Sequence, residues 1–127
     1  MRKAKIERNT KETQIALSWD MDGQGICKGT CGIGFLDHML QALCVHGGFD
    51  IQLSMRGDLE VDCHHSAEDL GIVLGQAFAK ALGEKGGIRR YGTACIPMDE
   101  ALSFCSLDIS GRAFLVYEAS YENERIG

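Results

Sequence analysis

The residues with the most chemical capacity stand together at His64-His65-Ser66-Ala67-Glu68-Asp69. On a helix, His65 and Glu68 are three positions apart and His64 and Glu68 four, so each pair can share a face. Imidazole nitrogen and carboxylate oxygen together suit a divalent transition ion such as Mn, Fe or Zn. Neighbouring histidines point about 100° apart on a helix, so two ions are a more natural reading than one. The same residues also describe a helix start. Ser66 would be the N-cap, Asp69 would reach back towards it, the acidic residues would favour the dipole, and the histidines would be surface. These readings are compatible, and the residues alone leave both open.

A second signal is Phe35-Leu36-Asp37-His38-Met39-Leu40, where Asp and His interrupt an apolar helical pattern. By itself that is the polar side of an amphipathic helix. His46 follows near the end of the same segment, so all four histidines fall between His38 and His65. Arg89-Arg90 follows Gly86-Gly87, and Arg112 follows Ser110-Gly111. Arg beside a turn can fork onto a phosphate, although surface Arg is the commoner case. Glu12 and the pair Asp99-Glu100 read as solvated carboxylates. Cys27 and Cys31 have a spacing that could serve zinc, but no second Cys pair matches it. No Walker A, GxSxG, HExxH or dinucleotide-type glycine fingerprint is present.

These groups need elements to hold them. Lys3 to Asp20 reads as strands, with Ile15, Leu17 and Trp19 alternating against Ala16, Ser18 and Asp20. Asp22-Gly23 and Gly25 mark a turn, and Gly29 to Gly34 leads into a helix over Phe35 to Val45 that Gly47-Gly48 stops. Its apolar positions are Leu36, Met39, Leu40 and Leu43. Asp50 to Gly57 is the clearest strand, and Leu59 to Cys63 is expected to continue the sheet. A second helix is predicted from near Ser66 to Leu82, with Ala67, Leu70, Leu74, Ala77, Phe78 and Ala81 as its stripe. Gly71 and Gly75 would let it pack closely on a neighbour. Thr93 to Met98, Ala101 to Ile109 and Arg112 to Ala119 read as strands, with a hairpin turn at Ser110-Gly111. No closing element is read in Glu122 to Gly127. The fold class is α+β: a mainly antiparallel sheet with helices packed on one face. Residues 1–90 form a first half-domain, and 91–127 begin a second, incomplete one.

With 127 residues the chain suits one ordinary domain, and its hydrophobic content of 45% is enough for a core. A net charge of −5 argues against a general nucleic-acid binder, which needs a basic face. No apolar run approaches a membrane span, and the charged stretch from Met1 to Thr10 is no export signal. A cytoplasmic protein is therefore expected, its six cysteines reduced rather than forming a disulfide framework.

Taken in order, these segments resemble imidazoleglycerol-phosphate dehydratase. The match runs through Gly34-Phe35-Leu36-Asp37-His38-Met39-Leu40, His46-Gly47-Gly48-Phe49-Asp50, Gly57-Asp58-Leu59 and His64-His65 to Glu68-Asp69. It continues through Gly87-Ile88-Arg89-Arg90-Tyr91-Gly92, Pro97-Met98-Asp99-Glu100-Ala101 and Asp108-Ile109-Ser110-Gly111-Arg112. Each motif is moderately specific, and seven in order are highly so. The resemblance implies a ribosomal protein S5 domain 2-like half-domain and the start of a second. It implies a lyase of histidine biosynthesis that dehydrates imidazole glycerol phosphate to imidazole acetol phosphate, with two Mn²⁺ ions per complete site and no organic cofactor. His38, His64, His65 and Glu68 would be metal ligands. Glu12 would be the catalytic acid/base. Glu12, His38, His46, His64, Glu68, Arg90 and Arg112 would line the substrate, with the two arginines on its phosphate. The carbon that loses its proton has no carbonyl beside it, so the imidazole ring must supply the electrons that expel the hydroxyl. A metal on the ring nitrogens favours that.

Family members carry a second His-His-x-x-Glu motif that this chain lacks, so four ligands here fill only part of two coordination shells. The family assembles as a homo-oligomer of twenty-four subunits with sites between them. The 127 residues alone are therefore expected to be weakly active or inactive, to assemble poorly, and to expose apolar surface. The start at Met1, with no phosphatase segment before it, suggests a monofunctional version. The competing expectation is a non-catalytic metal-binding fragment or interaction domain. A nucleic-acid module is disfavoured by the charge.

Overall fold

A computed structural model describes residues 1–122. The chain divides into two compact units, the first ending at Glu84 and the second beginning at Lys85.

In the first unit, β1 (Lys3–Asn9), β2 (Thr13–Asp20), β3 (Cys27–Lys28) and β4 (Asp50–Gly57) form one sheet in the order β1-β2-β4-β3. The pairs β1·β2 and β2·β4 are antiparallel, and the short β3 runs parallel to β4. Helix α1 (Gly34–Gly47) and helix α2 (His64–Leu82) cover one face. The period-two reading of β2 holds: Thr13, Ile15, Leu17 and Trp19 are buried against the helices. Ile51 and Leu53 do the same from β4, and Leu40, Cys44, Leu70, Val73 and Ala77 answer from the helices. Trp19 packs its ring edge against Phe49 at 5.4 Å between centroids and lies 5.7 Å from Phe78. Burial of such side chains, at about 1.5–3 kcal/mol each, is what holds two helices of moderate length on the sheet.

Helix α1 ends where Gly48 takes φ +67°, a left-handed conformation in which its N–H and that of Phe49 both reach the carbonyl of Cys44. The loop before α1 crosses β4 so closely that a Cβ on Gly29 would strike the Leu53 carbonyl. Several expectations for this unit change. Leu59 to Cys63 is a turn, closed by Val61 N–H donating to Asp58 O at 2.8 Å, and adds no strand. Helix α2 starts at His64, two residues early, with Cys63 at the N-cap making no side-chain cap bond and Asp62 Oδ1, in the turn before it, accepting the His64 N–H at 2.8 Å. Ser66 is therefore no N-cap. It lies inside the first turn, fully buried, with its Oγ against Gly57 where any Cβ would collide. The stripe of α2 is rotated accordingly, with Ser66 and Val73 buried and Ala67 exposed. Gly71 and Gly75 face open space among the described residues, rather than a close neighbour.

The second unit is the hairpin β5 (Tyr91–Met98) and β6 (Ala101–Asp108), turning at Asp99-Glu100, where Asp99 takes φ +49°. Arg112 to Ala119 is not a strand, and Ser110-Gly111 makes no hairpin. Instead Ser110 Oγ accepts the Arg112 N–H at 3.2 Å in a local turn. Of the segment Glu122 to Gly127, all but Glu122 lies outside the described residues.

Candidate metal and substrate site

One end of the first sheet gathers the polar residues. The β2·β4 register places Thr13 opposite Gly57, so the turn before β2 and the chain leaving β4 emerge side by side. The start of α2 crosses above them. Thr10 Oγ1 accepts the backbone N–H groups of Glu12 at 3.2 Å and Thr13 at 3.0 Å, which sets the course of the chain at Glu12. Thr13 Oγ1 in turn donates to Asp69 Oδ2 at 2.5 Å, and both residues are buried. Arg8 Nη1 lies 2.6 Å from the same oxygen, at ion-pair distance, though without a well-aimed N–H. The Thr13 hydroxyl first, and then Arg8, hold the Asp69 carboxyl below its ordinary pKa. Asp69 thus does not reach back to cap α2. It fastens the helix to the β1–β2 hairpin.

On the outer side of this joint the two histidines diverge. Their rings meet edge to face, 5.4 Å between centroids and 82° apart, as helical geometry requires of neighbours. His64 Nε2 and Glu68 Oε2, one turn apart and both exposed, are 3.1 Å from each other. His65 turns to the sheet side, where its Nδ1 lies 2.8 Å from Asp58 Oδ2. The hydrogen bond to Asp58 raises the His65 pKa, and the negative charges of Asp58, Glu12 and Asp62 add to it. Glu12 is thereby within electrostatic range of His65, as the only expected catalytic residue at this end of the sheet.

The donor chemistry fits a divalent ion in part. His64 and Glu68 offer a nitrogen and an oxygen at one place, and His65, held through Nδ1, has no hydrogen bond at Nε2 among the described residues. Yet among the described residues no three His, Cys, Asp or Glu side chains are gathered as a metal-holding group. His38 and His46 stand exposed on α1 with no hydrogen bond or ion pair among the described residues. Between them and the sheet, Asp37 accepts from Thr30 Oγ1 at 2.5 Å and from the Cys31 N–H at 2.7 Å, so it anchors the loop before α1. In the second unit Arg90 forks onto Asp108, with Nε 2.7 Å from Oδ1 and Nη2 3.1 Å from Oδ2, and its guanidinium lies 5.0 Å from the Tyr91 ring centroid. Arg112 is exposed, and its charge, after that of Arg90, helps to keep Asp108 ionised. The sequence assigns no role to Asp58 or Asp62, and shows Asp37 only as an interruption of an apolar helix. Asp58 is seven positions from His65 across an irregular turn, and no periodic pattern connects them.

The fold and this helix-borne donor pair define a class: an α+β half-domain carrying imidazole and carboxylate groups at a strand-to-helix junction. The family model described as imidazoleglycerol-phosphate dehydratase matches residues 31–127. A relative of that name from Lachnoclostridium phytofermentans is 55% identical over 126 residues, covering 99% of this chain and 64% of its own length. One from Streptococcus thermophilus is 54% identical over 127 residues, covering 100% of this chain and 66% of its own length. The crystal structure of the Staphylococcus aureus dehydratase superposes with a TM-score of 0.82 at 37% identity, over 98% of this chain and 68% of that one. One from Pyrococcus furiosus gives 0.67 at 36% identity, over 91% and 63%. The chain belongs to the imidazoleglycerol-phosphate dehydratase family, and spans about two thirds of the length of these relatives.

Proposed function

We propose that this chain contributes to a hydro-lyase that converts imidazole glycerol phosphate to imidazole acetol phosphate and water in histidine biosynthesis. The observation that carries the reading is the start of α2, where the His64–Glu68 pair stands beside a His65 held through Nδ1 by Asp58. His38, His64, His65 and Glu68 would hold two Mn²⁺ ions, which stabilise negative charge on the substrate's imidazole ring when bound. Glu12, whose N–H donates to Thr10 Oγ1 in the turn before β2, would take the proton from the carbon one removed from the ring, as the hydroxyl leaves the carbon beside it. His46 and the exposed side of α1 would line the substrate, and Arg90 and Arg112 would receive its phosphate. Arg90 would exchange its Asp108 fork for phosphate oxygens. Four donors do not complete two coordination shells, so turnover would need further donors from beyond the described residues. The family resemblance implies a cytoplasmic homo-oligomer of twenty-four copies with sites between subunits, an assembly that this chain alone would form poorly. In the same reading residues 1–90 are one half-domain and 91–127 the beginning of its counterpart. Among the described residues no helix is long and apolar enough to cross a membrane.

The test is turnover of imidazole glycerol phosphate by the purified chain with Mn²⁺, alone and mixed with a catalytically silenced full-length relative that could lend the missing donors. Product that depends on His64 and Glu12 supports the reading. Mn²⁺ bound without turnover in either format favours a non-catalytic metal-binding domain instead.

A further inference from the structure

The turn between β4 and α2 does more than connect them. Asp58 is held by the end of β4 on one side and by its own carbonyl, which accepts the Val61 N–H, on the other. Its carboxylate is mostly covered, at 17% side-chain exposure, whereas the His65 side chain is 41% exposed. The ring is therefore gripped on its inner edge and open on its outer one. An ionised carboxylate can only accept, so at 2.8 Å the hydrogen must sit on His65 Nδ1. A neutral imidazole with its proton on Nδ1 carries its lone pair on Nε2. Resting on the metal reading above, we propose that Asp58 is a positioning residue that locks His65 in the Nδ1–H tautomer and so presents Nε2 as a donor to a divalent ion. A carboxylate behind a ligating imidazole also raises its basicity and fixes the plane of its ring. His64 is held differently. Its contact with Glu68 is made through Nε2 between two exposed side chains, so metal binding there must compete with that pair.

The test begins without metal. Long-range ¹⁵N NMR of the imidazoles in the metal-free 127-residue chain is recorded at alkaline pH, where the rings are neutral, with His65→Ala identifying the signal. The expected result is a His65 ring protonated on Nδ1 in the wild type and largely on Nε2 in Asp58→Ala. Asp58→Asn, whose amide oxygen can still accept, should retain the Nδ1 proton. A wild-type ring protonated on Nε2 overturns the proposal without reference to metal or to any variant, and so does a tautomer left unchanged in an Asp58→Ala chain whose backbone amide spectrum is that of the folded protein. Mn²⁺ titration by calorimetry then separates this proposal from the reading beneath it. Asp58→Ala should weaken binding by about 10–100-fold, as loss of an outer-shell partner generally does. Binding lost in His65→Ala but kept in Asp58→Ala overturns the positioning role alone. Binding unchanged in His65→Ala overturns the assignment of His65 as a ligand, and the proposal with it.

Discussion

Replacing Asp69 by alanine should cost the fold far more than a surface carboxylate would, because Asp69 is the joint between α2 and the β1–β2 hairpin. Its Oδ2 accepts from the Thr13 hydroxyl at 2.5 Å, and Thr13 is 1% exposed. Once the acceptor is gone, that hydroxyl keeps only its long contact with Thr10 Oγ1 at 3.3 Å, a penalty of about 1–3 kcal/mol. Arg8, 2.6 Å from the same oxygen, also loses its partner, but its side chain is 29% exposed and water can take up part of the loss. A further ~0.5–1 kcal/mol is reasonable for a screened pair of this kind. The sum, about 1.5–4 kcal/mol, is a large share of the ~5–15 kcal/mol that stabilises an ordinary domain. In urea, where slopes are about 1–3 kcal/mol per molar, the midpoint should fall by roughly 1–2 M with little change in slope. Thr13→Val supplies the cross-check. It should destabilise the wild type, yet cost far less in the Asp69→Ala background, because the hydroxyl removed there has already lost its short bond and keeps only the long contact with Thr10. A midpoint that Asp69→Ala leaves within ~0.2 M, or the two changes adding independently, would refute the idea that this bond fastens the helix.

Ser66→Ala should be neutral or stabilising, since Ser66 Oγ is buried without a hydrogen-bond partner among the described residues. A serine N-cap would instead lose about 1 kcal/mol in the same thermal melt. Acidification should weaken the fold partly through Asp50, whose carboxylate accepts the N–H groups of Gln24 at 2.8 Å and Ile26 at 2.9 Å, which depress its pKa. The folded pKa lies below the unfolded value of about 3.9, so this contribution is complete above that value and disappears as pH falls through the folded pKa. Urea midpoints between pH 5 and pH 3 should therefore drop less steeply in Asp50→Asn. Thiol alkylation followed by mass spectrometry should label exposed Cys95 and Cys105 first. Cys31 and Cys44 should be last, because burial raises their pKa to about 11 and about 12. Equal rates at Cys44 and Cys95 would contradict the core described here.

Much of this protein is legible from local pattern. The alternation through Ile15, Leu17 and Trp19 foretells a half-buried strand because successive side chains in a strand must point opposite ways. The spacing of Leu70, Ala77 and Ala81 locates α2, and Gly47-Gly48 locates the end of α1, since glycine takes a left-handed cap without steric cost. The spacing of His64 and Glu68 is likewise enough to predict that they meet, because residues four apart on a helix are neighbours.

The failures share a cause. Ser66 followed by Asp69 reads as a capping box, but the same two residues are inward-facing once the helix begins at His64 and its first turn lies on Gly57 and Thr13. Arg112 to Ala119 has the composition of a strand, yet strands exist only where a partner offers a ladder, and composition does not supply one. Ordering of the site follows the same division. Residue types and helical spacing, both local, determine which side chains in this chain can ligate a metal and which pairs share a turn. Only the tertiary structure decides that Asp58 stands behind His65 and that Glu12 is brought near it, because those meetings depend on the β2·β4 register and on where a turn without periodicity delivers α2.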